Sequence, residues 1–202
     1  MKLKRLEAAA FLAFALVVIL SVANFENKCQ GIRDNCFRLH IIANSDREED
    51  QSLKLKVRDE LLKSTAHIFE NAKNKDEALS LALTNADKIK ETAESVIKKQ
   101  GYCYTVQIDT AKAYFPTRTY EKYTLPAGKY DALRVIIGEG KGKNWWCVMF
   151  PSLCLPASLK KDKLSDVLTE KEIELIEKNP GYEIRFWIVE QIQKLKSNKK
   201  GS

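Results

Sequence analysis

Residues 134–154 read RVIIGEGKGKNWWCVMFPSLC, and this stretch decides more of the fold than any other part of the chain. The apolar segments 130–137 and 145–150 have the composition of β-strands, and the glycine- and lysine-rich segment between them is typical of a turn. The pattern therefore predicts a β-hairpin. Because neighbouring residues of a strand point to opposite faces, one of the adjacent Trp145 and Trp146 is expected in the core and the other on the opposite face.

A phosphate-binding loop does not fit the same glycine-rich segment. Such a loop has four residues between its first glycine and a Gly-Lys pair, continues with Ser or Thr, and opens a helix. Here three residues separate Gly138 from Gly142, Asn144 stands where the hydroxyl is needed, and strand-like sequence follows. The turn instead presents Lys141 and Lys143, either to solvent or to an acidic partner.

Strand and helix periods alternate through the segment that precedes this stretch. Residues 37–43 alternate apolar with polar side chains, which predicts a first strand. Two helices with apolar stripes follow. Ser45 with Glu48, and Asn74 with Glu77, have the pattern of capping boxes at their starts.

Beyond Gly101, which is a natural stop for the second helix, the chain becomes β-like. Strand-like sequence occupies 104–109, and 114–120 contains a proline, as in an edge strand or an ordered loop. Thr169 and Glu172 predict the cap of a short helix, whereas 182–195 fits either a helix or a strand. The predicted class is α+β, with a mostly antiparallel sheet of about four strands packed by two long helices, plus C-terminal helices.

The first 23 residues have the composition of an export signal. A basic start at Lys2, Lys4 and Arg5 precedes an apolar run over 8–20, and 21–23 are small enough for signal peptidase. An uncleaved membrane anchor is the alternative. The predicted domains are therefore a signal peptide or anchor at 1–23, a polar linker at 24–36, an α+β domain at 37–155 and a helical extension with a frayed tail at 156–202.

The net charge of +7 arises from 34 basic and 27 acidic residues, which are interleaved along the predicted helices. This pattern is typical of a solvated surface. An exported chain also does not meet nucleic acid, so nucleic-acid binding is set aside. No motif for a cofactor or a small-molecule substrate is apparent.

Five cysteines follow the apolar segment, and export permits disulfides. Cys147 and Cys154 flank a proline-containing bend and form a possible disulfide. The odd count leaves at least one thiol free or intermolecular. A zinc site is disfavoured, because the sequence pairs have six residues between their members where a structural site has about two to four.

Candidate nucleophiles and bases are few. Ser45 and the cysteines are possible nucleophiles, and His40 and His67 are the histidines of the chain. A catalytic site needs a base within hydrogen-bond reach of the nucleophile, and the spacing of these residues does not establish one. We therefore assign no catalytic, cofactor or metal residue from the sequence.

Several segments together resemble one family. They are RLHIIANSD (38–46), DQSLKLKVRD (50–59), YFPTRTY (114–120), LPAGKYDALRVIIGEGKGKNWWCVMFP (125–151) and Cys154. In this order they are similar to the stage II sporulation protein R family of endospore-forming bacteria. The resemblance covers about 37–154 and is thin beyond Cys154.

The resemblance implies a signalling role rather than a reaction. Members of the family are exported from the forespore into the space between the two cells and activate a membrane-embedded aspartic protease. That protease then processes the precursor of a mother-cell sigma factor. The expected partners are this protease and, through the N-terminal segment, the membrane. The alternative is an extracytoplasmic hydrolase with a Cys or Ser nucleophile.

The partner surface is expected in and near the opening stretch. Its hypothetical members are Arg118, Lys141, Lys143, Trp145 and Trp146. Large aromatic and basic side chains are frequent anchors of binding surfaces.

Overall fold

A computed structural model describes residues 2–69, 72–120, 122–154, 164–177 and 183–198. The helices are α1 (Lys2–Asn35), α2 (Glu48–Phe69), α3 (Lys75–Thr84), α4 (Ala86–Lys99), α5 (Glu170–Ile176) and α6 (Glu183–Asn198). The strands are β1 (Phe37–Ile42), β2 (Val106–Phe115), β3 (Arg118–Tyr120), β4 (Tyr123–Leu125), β5 (Gly128–Ile137) and β6 (Asn144–Phe150). A short 3-10 helix covers Leu164–Asp166. This arrangement confirms the predicted α+β class.

Four strands form one mixed sheet in the order β2-β5-β1-β6. β2 pairs antiparallel with β5, β5 pairs parallel with β1, and β1 pairs antiparallel with β6. β3 and β4 form a separate two-stranded ribbon. The prediction of about four strands, mostly antiparallel, is confirmed.

The predicted hairpin between the last two strands of the sheet is wrong. β1 lies between β5 and β6, and Ile41 pairs with Val135 on one side and with Trp145 on the other. Leu39 and Ile41 are buried, so the backbone of β1 needs hydrogen-bond partners along both of its edges. Strands on either side supply them, and residues 138–143 cross over the end of β1.

Helices cover both faces of the sheet and create two cores. On the first face, α2, α3 and α4 enclose the first core, which contains Leu39, Ile41, Leu53, Val57, Leu61, Ile89, Ile97, Val106, Leu133, Val135 and Ile137. On the second face, the end of α1 together with α5 and α6 encloses the second core, which contains Phe25, Cys29, Ile32, Phe115, Tyr130, Ala132, Val148, Leu175, Ile176, Phe186 and Val189. The apolar periods of the sequence account for both sets.

Local capping predictions succeed except at one position. The Asn74 side chain accepts from the Glu77 amide at 2.9 Å, and Thr169 and Glu172 form a complete capping box. The Ser45–Glu48 capping box is wrong, because α2 begins at Glu48 and the Ser45 hydroxyl donates to Asp50 instead. The second predicted helix is divided in two at Asn85.

The backbone conformation also decides the predicted helix stop at Gly101 and the helix-or-strand alternative for 182–195. Gly101 ends α4 with a φ of 82°, a conformation that favours glycine. The final segment is helical, since α6 covers Glu183–Asn198. Parts of the predicted C-terminal extension, residues 156–163 and 178–182 and the end of the predicted frayed tail at 199–202, lie outside the described residues.

Residues 24–35 are helical and packed, whereas their polar composition predicted a linker. They continue α1 without a break, and Phe25, Cys29 and Ile32 are buried in the second core. Arg33 is also buried, donates to the carbonyl oxygen of Ala127 at 3.0 Å and forms an ion pair with Glu26 at 2.7 Å. The spacing of the three apolar residues is that of a helix stripe, and the many polar residues around them obscured it.

The N-terminal half of α1 makes no comparable contacts. Leu12, Leu16 and Leu20 are exposed, and none of the most apolar 18-residue window of the helix is buried. By length and composition this helix is able to cross a membrane. It therefore fits the predicted signal or anchor.

Candidate partner-binding site

Residues 138–143, which we call the glycine loop, are fastened to the turn between β1 and α2. The amide of Lys141 donates to the Asn44 carbonyl at 3.1 Å, and that of Gly142 donates to the Ala43 carbonyl at 2.9 Å. The amide of Lys143 donates to the Asp46 carboxylate at 2.7 Å. The glycine loop is therefore a rigid connection and not a free hairpin tip.

Glycine is required where this loop meets the turn. A Cβ atom at Gly142 would collide with the carbonyl oxygen of Ser45, and one at Gly138, whose φ is 58°, would collide with the Asn44 side chain. The close approach of two backbones explains the glycines without a phosphate ligand.

Asp50 supports the same junction from beneath. Its carboxylate is buried and accepts from the Ser45 hydroxyl at 2.6 Å and from the Asn44 amide at 2.9 Å. The Asn44 oxygen in turn accepts from the amide of Glu139 at 3.0 Å. Burial opposes the charge, but the hydrogen bonds from Ser45, Asn44 and Tyr104, together with the nearby Arg47 guanidinium, outweigh it and hold the pKa of Asp50 below its usual range. The motif residues of 38–46 and 134–154 thus belong to one hydrogen-bond network.

The two lysines of the glycine loop occupy different positions. The exposed Lys141 forms an ion pair with Glu139 at 2.7 Å, and this hydrogen bond raises the pKa of Lys141. The backbone of Lys143 is held on both sides, since its carbonyl accepts from the Lys54 ammonium at 2.8 Å. Both lysine side chains face solvent.

Trp145 and Trp146 lie on opposite faces of the sheet, as strand alternation predicts. Trp145 packs against the first core, and the guanidinium of Arg58 lies 5.2 Å from its ring centroid. Trp146 packs against the second core, and the guanidinium of Arg118 lies 4.8 Å from its ring. Both tryptophans are only partly buried. The structure therefore groups Arg118 with Trp146 and separates both from Trp145.

His40 completes a cluster around Trp146. The two rings stack with centroids 6.1 Å apart, and the Nε2 atom of His40 hydrogen-bonds the Asn144 side-chain oxygen at 2.8 Å. We call His40, Arg118, Asn144 and Trp146 the His–Trp patch. Burial, with a contribution from the nearby Arg134, lowers the pKa of His40, so its ring is neutral at pH 7.

Two buried atoms of the His–Trp patch have no hydrogen-bond partner among the described residues. They are the Nδ1 atom of His40 and the indole nitrogen Nε1 of Trp146. An unpaired buried polar atom costs about 1–3 kcal/mol. The patch thus combines stacked aromatic surface with unmet hydrogen-bonding capacity.

Arg38 holds the patch in place and was missed by the sequence analysis. It is 0% exposed on the second face, and its guanidinium lies 4.2 Å from the Phe115 ring and 4.7 Å from the Tyr130 ring. It donates to the carbonyl of Cys147 at 2.8 Å and to the hydroxyl of Tyr120 at 2.5 Å. Tyr120 belongs to β3, which also carries Arg118, so Arg38 connects the β3–β4 ribbon to the sheet. The sequence did contain a signal for this role, because Arg38 is a basic residue at a strand position whose side chain points toward a core.

Cys147 and Cys154 lie together as a disulfide pair with Cα atoms 6.1 Å apart. The amide of Val148 donates to the Cys154 sulfur at 3.2 Å. Cys29, Cys36 and Cys103 are free thiols, and the first two are buried. The disulfide joins β6, the strand that carries both tryptophans, to the segment directly after it.

The candidate nucleophiles are held in other ways. Ser45 donates to Asp50, as described above. Burial raises the pKa of Cys36 to about 12, which keeps this thiol protonated and unreactive. Within the described ranges, no three His, Cys, Asp or Glu side chains are grouped as metal ligands.

Comparison with known proteins agrees with this description. The model of the family described as stage II sporulation protein R matches residues 33–160. The chain belongs to the stage II sporulation protein R family. It is 34% identical over 191 residues to stage II sporulation protein R of Bacillus subtilis (strain 168), covering 84% of this chain and 85% of the relative. No solved structure matches significantly. Membership supports a role in sporulation signalling.

Proposed function

We propose that this protein is exported from the forespore into the intermembrane space and there activates a membrane-embedded aspartic protease. The protease then processes the precursor of a mother-cell sigma factor. Family membership supports a signalling role, and the apolar half of α1 is suited to export or to anchoring. The protein acts in this proposal as a ligand that stabilises the active state of the protease, which requires higher affinity for that state than for the inactive one.

The observation that carries the proposed contact surface is the His–Trp patch. Trp146 and Arg118 lie on the second face of the sheet, the face on which α1 packs. Aromatic and arginine side chains at the centre of a patch are the usual energetic anchors of protein interfaces. Lys141, on the glycine loop, adds an exposed positive charge to the proposed surface.

Trp145 supplies a matched control for Trp146. Both are partly buried tryptophans of β6 with a guanidinium over the ring, but they lie on opposite faces. We expect Trp146→Ala to lower protease activation about tenfold or more, the size of an interface anchor. Trp145→Ala is expected to lower it by less than about twofold, since its surroundings belong to the first face.

Reconstitution in a non-sporulating cell tests both the function and the surface. The cell would contain only the protease, the sigma-factor precursor and this protein, and cleavage of the precursor would be followed by immunoblot. Only variants whose cellular abundance and urea unfolding midpoint equal those of the unaltered protein are compared. Absence of cleavage with the unaltered protein would contradict the proposed function. Equal loss with Trp146→Ala and Trp145→Ala would reject the His–Trp patch while leaving the function standing.

The hydrolase alternative is tested in the same cell. Ser45→Ala and Cys103→Ala remove the hydroxyl and the exposed thiol that a hydrolase would use. We expect precursor cleavage to persist in both variants, because activation by binding needs no nucleophile. Loss of cleavage in a variant that still folds would favour a reaction by this chain.

A further inference from the structure

The C-terminal helix α6 lies across α1 at the point where the apolar half of α1 leaves the body. Phe186 contacts Phe25 with ring centroids 5.4 Å apart, and the Gln193 amide donates to the Glu26 carboxylate at 2.5 Å. Phe186 and Gln193 are about 10.5 Å apart along α6 at 1.5 Å per residue, yet they contact adjacent residues of α1. The two helices therefore cross steeply and do not run side by side.

One side of α6 is packed onto the body. Phe186 and Val189 are buried in the second core, and Gln193 reaches Glu26 from the same side. Ile188 and Val189 also line a small cavity with Ser21 and Val22 of α1. These contacts fix which side of α6 faces outward.

The opposite side of α6 is an exposed apolar stripe. Ile184 is 73% exposed, Trp187 61% and Leu195 66%. Their spacing of three and eight residues places them on one side of the helix, about half a turn from Phe186 and Val189. Because Phe186 and Val189 face the body, this stripe points away from it, to the side on which the exposed apolar half of α1 projects.

We propose that α6 is an interfacial helix that inserts its Ile184–Trp187–Leu195 stripe into the surface of the lipid bilayer. With α1 spanning or entering the bilayer, a helix that crosses it at residues 21–26 lies in the plane of the membrane surface. A tryptophan on such a helix is suited to the boundary between headgroups and acyl chains. Arg185 and Lys194 flank the stripe; the Arg185 guanidinium lies 5.9 Å from the Phe25 ring, and Lys194 forms an ion pair with Glu190 at 3.1 Å. The anionic bilayer is the favoured surface because an excess of basic over acidic residues gives the chain a net charge of +7.

This arrangement gives the body a defined orientation. α1 alone holds the body at one point, whereas α1 and α6 together prevent it from tilting about that point. The His–Trp patch is then presented at a constant height above the membrane. The membrane contact of α6 does not depend on the proposed protease activation.

Depth-dependent quenching of tryptophan fluorescence tests the proposal on the full chain. The protein is placed in vesicles of phosphatidylglycerol and phosphatidylethanolamine, with bromine at a shallow or a deep position of the acyl chains. The chain has three tryptophans, so quenching of Trp187 would remove about one third of the emission. We expect that loss with shallow bromine, a smaller loss with deep bromine, and neither in Trp187→Phe.

Charge substitutions supply the matched comparison. Ile184→Glu with Leu195→Glu places carboxylates on the stripe, and we expect it to reduce the shallow quenching of Trp187 at least twofold. Leu83→Glu alters an exposed leucine of α3, on the first face, and is expected to leave the quenching unchanged.

Two results would overturn the proposal. One is a Trp187 that bromolipids do not quench while aqueous iodide quenches it in the same vesicles. The other is identical quenching in the unaltered protein and in Trp187→Phe. If Trp187 stays in water and Trp187→Glu nevertheless abolishes protease activation, the stripe binds protein and not lipid.

Discussion

The two faces of the sheet are stabilised in different ways. The first face is a conventional apolar core, in which aliphatic side chains of the strands meet α2, α3 and α4. The second face buries Arg38 among aromatic rings and Arg33 against Glu26 and the Ala127 carbonyl, and it carries α1, α6 and the His–Trp patch. A sheet that needs only stability can be covered by aliphatic side chains alone. The second face differs in its buried guanidinium groups and open aromatic patch, and for this reason we place the proposed contact surface there.

The largest effect is expected on the first face. Leu39 is fully buried at the centre of the sheet, so Leu39→Ala should leave a cavity and lower the free energy of unfolding by about 3 kcal/mol. Urea denaturation of the purified protein measures this loss. A change below about 1 kcal/mol would show that the first core can collapse around the cavity and is not tightly packed.

A smaller but more diagnostic effect is expected at Arg38, on the opposite side of the same strand. Arg38→Met should cost about 1–2 kcal/mol, because the hydrogen bonds to Cys147 and Tyr120 are lost while apolar contact is retained. Arg38→Lys should cost more, since an ammonium is more strongly hydrated and lacks the planar donor fork.

The order of these two variants in urea denaturation is the informative result. If Arg38→Lys were as stable as the unaltered protein, charge alone would suffice and the geometry described for Arg38 would be wrong. The same pair should also loosen the β3–β4 ribbon that carries Arg118, visible as faster hydrogen exchange over 118–125.

The smallest effect depends on pH and concerns the junction that joins the glycine loop to the turn after β1. Because the pKa of Asp50 is lower in the folded than in the unfolded protein, its contribution to stability is complete above about pH 4 and declines as the pH falls through the folded pKa. Asp50→Asn should therefore reduce stability at pH 7 by about 1 kcal/mol and weaken the decline below pH 4.

Thermal denaturation between pH 2.5 and 7 measures both quantities for Asp50→Asn. Asp59→Asn is the control, since Asp59 is exposed and, among the residues that the structure describes, pairs only with its neighbour Arg58. Parallel pH profiles for Asp50→Asn and the unaltered protein would show that the Asp50 carboxylate does not stabilise the junction.

Local features of this fold were predictable and long-range pairing was not. Asn74, Gly101 and Thr169 act on residues within one turn of the chain, so their roles could be inferred from nearby sequence. The predicted hairpin failed because β1, the strand that pairs with both β5 and β6, lies 94 residues before its partners in β5 and 102 to 113 residues before those in β6. Ser45 failed as a cap for a different and local reason, since its hydroxyl donates to the buried carboxylate of Asp50.

The candidate site shows the same limit. Arg118, Trp145 and Trp146 were named from composition, but alternation along β6 could not say which tryptophan would meet Arg118. His40 was weighed as a possible base and as a hydrogen-bonded structural residue of a strand, and its stacking on Trp146 depends on the pairing of β1 with β6. The burial of Arg38 depends on rings from β2 and β5.

The sequence by itself determined the secondary structure of most segments, the apolar half of α1 and the family, because each depends on residue order and local periodicity. Only the tertiary structure decided that β1 separates β5 from β6, that residues 24–35 belong to the second core, and that α6 crosses α1. The physical reason is that these features depend on which apolar surfaces meet. A helix stripe or a strand face carries the same pattern whichever partner covers it.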